Sequence, residues 1–343
     1  MAIQSLAFSI FLFMFVTYIF LVFFTKELQN NRKKEIPLDE QEVASQVEEE
    51  VTLTSQVNED IVSQETEAVT DQELLTKETN STNLEDVRNV GNLKFKIRRF
   101  SIQKKGLSEA ECEDKNAVSS QDLSNLQIAI ADGATESLFS DIWADILVNN
   151  YVNKGADLLN SSTLESVSQK FVYTASQKVL KMPETRQWFM YEKLERGTHA
   201  TLAAVEFSST LETVQILTVG DSCVFWCYGN ADEINMLPEL TAEEFGSFPD
   251  SICHLPKTWQ SLEQKVLKKE ITFQNNLQMV LCTDALACWL VKELETKSSI
   301  WEELLQISDY SFFTDFIETL REKNSIRNDD VTLVLINVLP FNV

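Results

Sequence analysis

Five carboxylates stand where strand-like runs begin or end. They are Asp114 in LSEAECEDKNAV, Asp132 in LQIAIADGATES, Asp284 in LQMVLCTDALACWL, and the adjacent Asp329 and Asp330 in RNDDVTLVLINV. In three of these four segments the acid adjoins an apolar run rich in Ile, Val and Leu, as a buried strand would supply. Carboxylates brought together in such a place repel one another, and burying them is costly unless they are protonated or share a cation. Their oxygen donors suit hard divalent ions such as Mg²⁺ or Mn²⁺.

Other chemistries find little footing. The two histidines, His199 and His254, are not near a Ser or Cys nucleophile motif. The eight glycines are scattered, with neither G-x-G-x-x-G nor G-x-x-x-x-G-K-S/T, which disfavours a nucleotide-binding kinase. Six cysteines without a CxxC pair make neither a zinc site nor a disulfide framework, and read as small core residues in a reducing compartment. A net charge of −24 repels phosphate at long range and argues against nucleic acid as a partner.

Composition divides the chain into three parts. Leu6 to Phe24 is 19 residues without a charge, about 28 Å as a helix and long enough to cross a bilayer once. Lys26, Arg32, Lys33 and Lys34 follow it and no Lys or Arg precedes it, so residues 1–25 are expected to anchor the chain in a membrane with everything after them in the cytoplasm. Residues 26–92 are expected to be a basic flank and then a disordered acidic linker. From Glu35 to Val90 there are 16 acids against Lys77 and Arg88, with no aromatic residue and no glycine. Folded sequence is expected over 93–343.

That third part opens on KFKIRRFSI, whose Phe95 and Ile97 alternate with Lys94, Lys96 and Arg98, the period of a half-buried strand with a basic outer face. With Arg99, Lys104 and Lys105 this stretch carries six cations, a surface for phosphate, lipid or the acidic linker, or simply a solvated face. Next come a strand at LQIAIAD and helices near 137–150 and 164–180. Three strands follow, THATLAAVEF, TVQILTV and CVFWCYG, the last two joined through Gly220-Asp221-Ser222 as a hairpin. A loop-rich region from 230 to 270 leads to the strand LQMVLCT, helices through Leu294, 301–305 and 312–321, and the final strand DVTLVLINVL. Strands, helices and strands again, with hairpins, predict an α+β layered domain.

Taken in order, Glu113-Asp114, Ala131-Asp132-Gly133, Gly197-Thr198, Gly220-Asp221-Ser222, Thr283-Asp284-Ala285 and Asp329-Asp330-Val331-Thr332 resemble the PPM-type metal-dependent serine/threonine phosphatases, the protein phosphatase 2C family, in a bacterial-type branch. The resemblance covers about residues 94–340. It implies a four-layer α-β-β-α sandwich of two antiparallel sheets holding two Mn²⁺ or Mg²⁺ ions in a cleft between sheet ends. By the same resemblance Asp132 bridges both metals and Gly133 lends a carbonyl. Asp284 and Asp329 are further direct ligands, with Asp330 the second choice for the last. Glu113 and Asp114 hold metal-bound waters, and Asp221 lies near a third, weaker metal. The implied reaction is in-line attack by water on the phosphate of a phosphoserine or phosphothreonine in a protein substrate, with Asp132, Asp284 and Asp114 carrying the chemistry.

Three positions depart from the pattern: Glu109 stands where many members carry a phosphate-gripping arginine, Ala134 where some carry a histidine, and Ala285 where glycine is usual. Two readings follow, a membrane-tethered phosphatase or a catalytically weak phosphatase-like module acting as a tethered scaffold.

Overall fold

The run VTLVLINV shows no alternation of apolar with polar residues, as expected of a strand buried on both faces. A computed structural model of the chain describes residues 85–90, 93–120, 125–208, 212–229, 233–246, 248–272, 276–296 and 299–340. In it this run is β13 (Val331–Pro340), at the centre of an antiparallel sheet. β2 (Leu93–Ile102) and then β1 (Glu85–Val90) lie on one side of it. On the other lie β12 (Leu277–Cys282), β8 (Cys223–Tyr228) and β9 (Asn235–Leu237). Leu333 and Leu335 face one apolar cluster, while Val334, Ile336 and Val338 face another.

The second antiparallel sheet runs β11 (Leu267–Thr272), β7 (Thr213–Val219), β6 (Leu202–Ser208), β4 (Asn125–Ala131) and β3 (Lys115–Val118). Phe95, Ile97, Ile128, Phe207, Met279 and Ile336 fill the space between the sheets. Outside the second sheet, α1 (Ser140–Lys154) and α2 (Ser161–Leu180) pack through Trp143, Leu147 and Phe171, and α3 (Glu184–Arg196) lies against α2. Outside the first, α4 (Asp284–Leu294), α5 (Ile300–Leu305) and α6 (Tyr310–Glu322) pack through Leu286, Leu290, Trp301 and Phe313. The result is a mixed α+β fold of two facing antiparallel sheets with helices on both outer faces.

Several expectations change. The start of folded structure at 93 falls too late, because β1 pairs with β2 from Glu85↔Arg98 to Val90↔Leu93 and buries Val90. Its acidic composition concealed a strand whose partner is basic. Gly220-Asp221-Ser222 is not a hairpin turn: β7 pairs with β6 and β11, whereas β8 pairs with β12 and β9, so the turn carries the chain from one sheet to the other. The basic face of β2 is partly consumed inside the protein. Arg98 is buried and donates to the carbonyls of Ile307 (2.5 Å) and Leu305 (2.9 Å), and Arg99 donates to Asn116 Oδ1 (3.1 Å). Sequence reading also missed α3, whose only buried residue is Leu194. The expected strand THATLAAVEF breaks at Thr201, between the short β5 (His199–Ala200) and β6.

The expected membrane helix and most of the expected linker lie outside the described residues. Among the described residues no helix is long and apolar enough to cross a membrane.

If β1 belongs to the sheet, a chain truncated to begin at residue 93 should melt several degrees below one beginning at residue 82, for a loss of roughly 2 kcal/mol. Equal midpoints in a thermal melt would show that β1 contributes nothing.

Candidate metal centre

Asp132 is the first residue beyond β4, where the second sheet ends. Its backbone is held on both sides, its N–H donating to Thr201 Oγ1 (3.2 Å) and its carbonyl accepting from Thr201 N (2.9 Å). Thr201 Oγ1 in turn shares a hydrogen bond with Ser222 Oγ (2.7 Å), which ties the end of β4 to the turn that carries Asp221. Gly133 is required by close approach: a Cβ there would lie 2.8 Å from the backbone carbon of Ser140, at the start of α1. Gly220 is required twice over, by its φ of 98° and by Asp250 O, 2.5 Å from where a Cβ would stand.

Asp114 precedes β3 and is buried. Its Oδ2 accepts from Thr283 Oγ1 (2.9 Å), while its Oδ1 is buried without a partner. Thr283 Oγ1 also accepts from Thr332 N (2.9 Å), so one hydroxyl connects the segments carrying Asp114, Asp284 and the terminal aspartates. Glu113 accepts from the hydroxyl of Ser140.

The adjacent aspartates differ in role. Asp330 is buried, with Oδ1 accepting from Lys104 N (2.7 Å) and Oδ2 from Glu113 N (2.6 Å), so it pins the end of β2 and the Glu113 segment to the start of β13. Asp329 is half-exposed, accepts from Asp330 N (3.1 Å), and has Lys104 Nζ at 3.8 Å. Buried Arg321 braces this loop by donating to Asp329 O (2.7 Å) and Gln103 O (3.0 Å).

Asp284 opens α4, where the helix N-terminus favours a negative charge. Its Oδ2 receives Arg327 Nη2 at 2.5 Å. Asp221 is buried, and its Oδ2 lacks a partner.

The electrostatics bind these residues into one group. Burial pushes Asp132 well above the usual carboxylate range, and Asp114, Asp284, Asp329 and Asp221 push it further. Asp114 is raised by burial, then by Asp330 and Asp284, against the Thr283 hydrogen bond. Asp221 is pushed up to about 7 by burial and by Asp284. Asp284 is raised by burial and Asp329, with Arg327 opposing. Burial is also the first cause for Glu113.

The structure therefore brings the predicted acids within mutual electrostatic range. Yet among the described residues no group of three or more His, Cys, Asp or Glu side chains is arranged, as it stands, to hold a metal ion. Asp284 is turned to Arg327 and Asp114 to Thr283. The donor chemistry still fits hard cations, being oxygen throughout with two buried oxygens unpartnered.

Glu109 is exposed in the short 3-10 segment Glu109–Glu111. The histidines serve the fold: His254 Nδ1 accepts from Thr198 N (2.9 Å) among Trp143 and Phe171, and His199 shares a hydrogen bond with Ser251. Sequence reasoning missed Arg327 and Ser140, and it named Thr283 only as part of the motif around Asp284, without its contact to Asp114. Arg327 lay within a quoted motif, but nothing in its spacing pointed to a carboxylate 43 positions away.

Acidic loops gather where two facing antiparallel sheets end, a donor set of the kind that suits divalent cations. The protein phosphatase 2C family model matches residues 106–332, more than half of the chain, and the chain belongs to this family of metal-dependent serine/threonine phosphatases. No curated protein matches it in sequence.

Similar solved structures include the catalytic domain of the serine/threonine phosphatase PstP in complex with 2 manganese ions (18% identity, covering 72% of this chain and 99% of that one, TM-score 0.45). Another is the Staphylococcus aureus serine/threonine phosphatase Stp1 (13%, 73% and 96%, TM-score 0.45). A third is RsbX in complex with magnesium (16%, 74% and 98%, TM-score 0.41). The assignment rests on the family match and not on these likenesses.

Two outcomes test the site without activity. Carboxylates raised on folding hold protons more tightly in the folded state, so their contribution is complete below the ordinary carboxylate pKa and is lost as pH rises through the folded values, to about 7 for Asp221. Metal-free protein should melt higher at pH 5 than at pH 8, and Asp221→Asn should narrow that gap; an unchanged gap would refute the assignment of this cost to Asp221. Asp330→Ala should cost about 2–4 kcal/mol in denaturant unfolding because it orphans two backbone donors, and Asp329→Ala should cost under about 1 kcal/mol. Equal losses would contradict the division of roles.

Proposed function

We propose that the chain is a membrane-anchored phosphatase that hydrolyses phosphoserine and phosphothreonine in proteins, using two Mn²⁺ or Mg²⁺ ions. One observation carries the reading: buried Asp114 and Asp221 each keep an unpartnered oxygen in a group of carboxylates whose repulsion raises one another's pKa. Asp132, the Gly133 carbonyl, Asp284 and Asp329 would hold the ions directly. Glu113 and Asp114 would act through water, and Asp221 would serve a weaker third position. When bound, the cations supply charge neutralisation for the phosphoryl group and lower the pKa of the attacking water.

The chain's own residues do the positioning. Thr201 fixes the Asp132 backbone, Thr283 orients Asp114, and Asp330 joins the segments bearing Glu113 and Asp329. Lys104 and Arg327, set against Asp329 and Asp284, offset part of the negative charge. No covalent enzyme intermediate is needed, in keeping with the structural engagement of both histidines. The anchor reading is supported by uncharged Leu6 to Phe24, and the cations that follow it favour a cytoplasmic side for the phosphatase domain. A second reading, a phosphoprotein-binding scaffold with weak turnover, is favoured by the Arg327–Asp284 pair together with Glu109 in the usual phosphate-gripping position.

Full-length protein should hydrolyse an aryl phosphate only with Mn²⁺ or Mg²⁺. Asp132→Asn and Asp284→Asn should each lower kcat by about 100-fold or more with the circular dichroism spectrum unchanged. Parent-level turnover in either variant would overturn the phosphatase reading. Calorimetric Mn²⁺ binding without turnover under any metal condition would select the scaffold.

A further inference from the structure

A recess of about 150 Å³ lies beside the carboxylate group, between α4 and the loop that leads to β13. Arg327, Lys292, Trp289, Asn324, Ser325 and Cys288 line it, and no acid does. Of its two cations Arg327 is already paired with Asp284, which leaves Lys292 as the cation not engaged by an acid among the described residues. Trp289 is 3% exposed, and its indole N–H is buried without a hydrogen-bond partner. A buried donor left unmatched is destabilising, and an acceptor able to reach it from the recess would recover part of that loss. Lys292 is exposed and makes no ion pair among the described residues. The volume accommodates a carboxylate or phosphate group with room for water.

Arg327 joins this recess to the candidate metal centre, because the same guanidinium contacts Asp284 at 2.5 Å. The two places are thus about one arginine side chain apart. An extended peptide advances roughly 3.3–3.6 Å per residue, so a group one to three residues from a phosphorylated serine can reach the recess while the phosphate lies among the carboxylates.

We propose that this recess is an oxyanion subsite that receives an acidic or phosphorylated side chain flanking the target residue, so that the enzyme prefers acidic phosphopeptides. This rests on the phosphatase reading for its substrate, but not for its anion chemistry. Arg327 and Lys292 supply the charge, and the Trp289 N–H with the Asn324 amide and Ser325 hydroxyl supplies neutral donors. Free inorganic phosphate presents the same oxygens and is the other source of such a ligand.

The test uses full-length protein and two measurements. In the first, kcat/KM is compared for phosphopeptides that differ only in Glu or Gln two residues from the phosphoserine. The parent should favour the Glu peptide about 5- to 10-fold, chiefly through KM, and Lys292→Glu should bring that ratio to about 1. In the second, inorganic phosphate is titrated calorimetrically into metal-free protein in chelator. Its binding should weaken by about 5-fold or more in Lys292→Glu and in Trp289→Phe, which keeps the ring and removes the N–H. Loss of the peptide preference identifies a substrate-borne anion. Weakened phosphate binding with an unchanged peptide ratio identifies the free anion as the ligand. If Lys292→Glu matches the parent in both measurements and Trp289→Phe matches it in the titration, there is no subsite. Should the protein hydrolyse no phosphopeptide, the phosphatase reading fails by itself, and the phosphate titration alone decides the subsite.

Discussion

Negative charge concentrated at the end of a two-sheet core is the constraint around which this molecule is organised. Asp114, Asp132, Asp221 and Asp284 are raised first by burial and then by neighbouring acids, Asp330 and Asp329 among them, so the domain folds around a group that destabilises it when ionised. A fold meets such a cost by protonating the acids, pairing them with its own cations, or leaving a place for foreign ones. Two of these are visible here: acids held above their usual range, and the Arg327–Asp284 contact with Lys104 near Asp329. The unpartnered oxygens of Asp114 and Asp221 are what the third would use.

Holding the acids against their repulsion requires a stiff frame, and the layers supply it. β13 is buried on both faces, and its neighbours β2 and β12 bring the segments after Ile102 and Cys282 to the place where β13 begins. Asp330 then uses both carboxylate oxygens to bind two of those segments through their backbone amides, and Thr283 ties a third. Acids that look alike in the sequence have therefore separated into a structural brace and candidate ligands.

Much of this was legible. The strands at LQIAIA, LQMVLC and VTLVLINV, most of the helices and a layered α+β class came from apolar runs and turn residues, and the positions of Asp114, Asp132 and Asp284 at element ends came with them; the arrangement in two antiparallel sheets came only from the family resemblance. What misled was local likeness. EDVRNV reads as linker because strand acids and linker acids look the same until the basic partner strand is known. Gly220-Asp221-Ser222 reads as a hairpin because a positive-φ glycine serves equally well where a chain changes sheets. The six cations from Lys94 to Lys105 read as a surface although Arg98 is spent on carbonyls some two hundred residues away.

By itself the sequence determined which residues could lie inside, where the chain could turn, and that several acids would border buried strands, because these depend on side-chain type and short-range spacing. The tertiary structure alone decided which acids meet, that Asp330 binds backbone amides while Asp329 stays half-exposed, that Arg327 reaches Asp284, and that a donor-lined recess opens beside them. Each of those depends on pairings between residues tens to hundreds of positions apart, and no local pattern encodes the register of strands that brings them together.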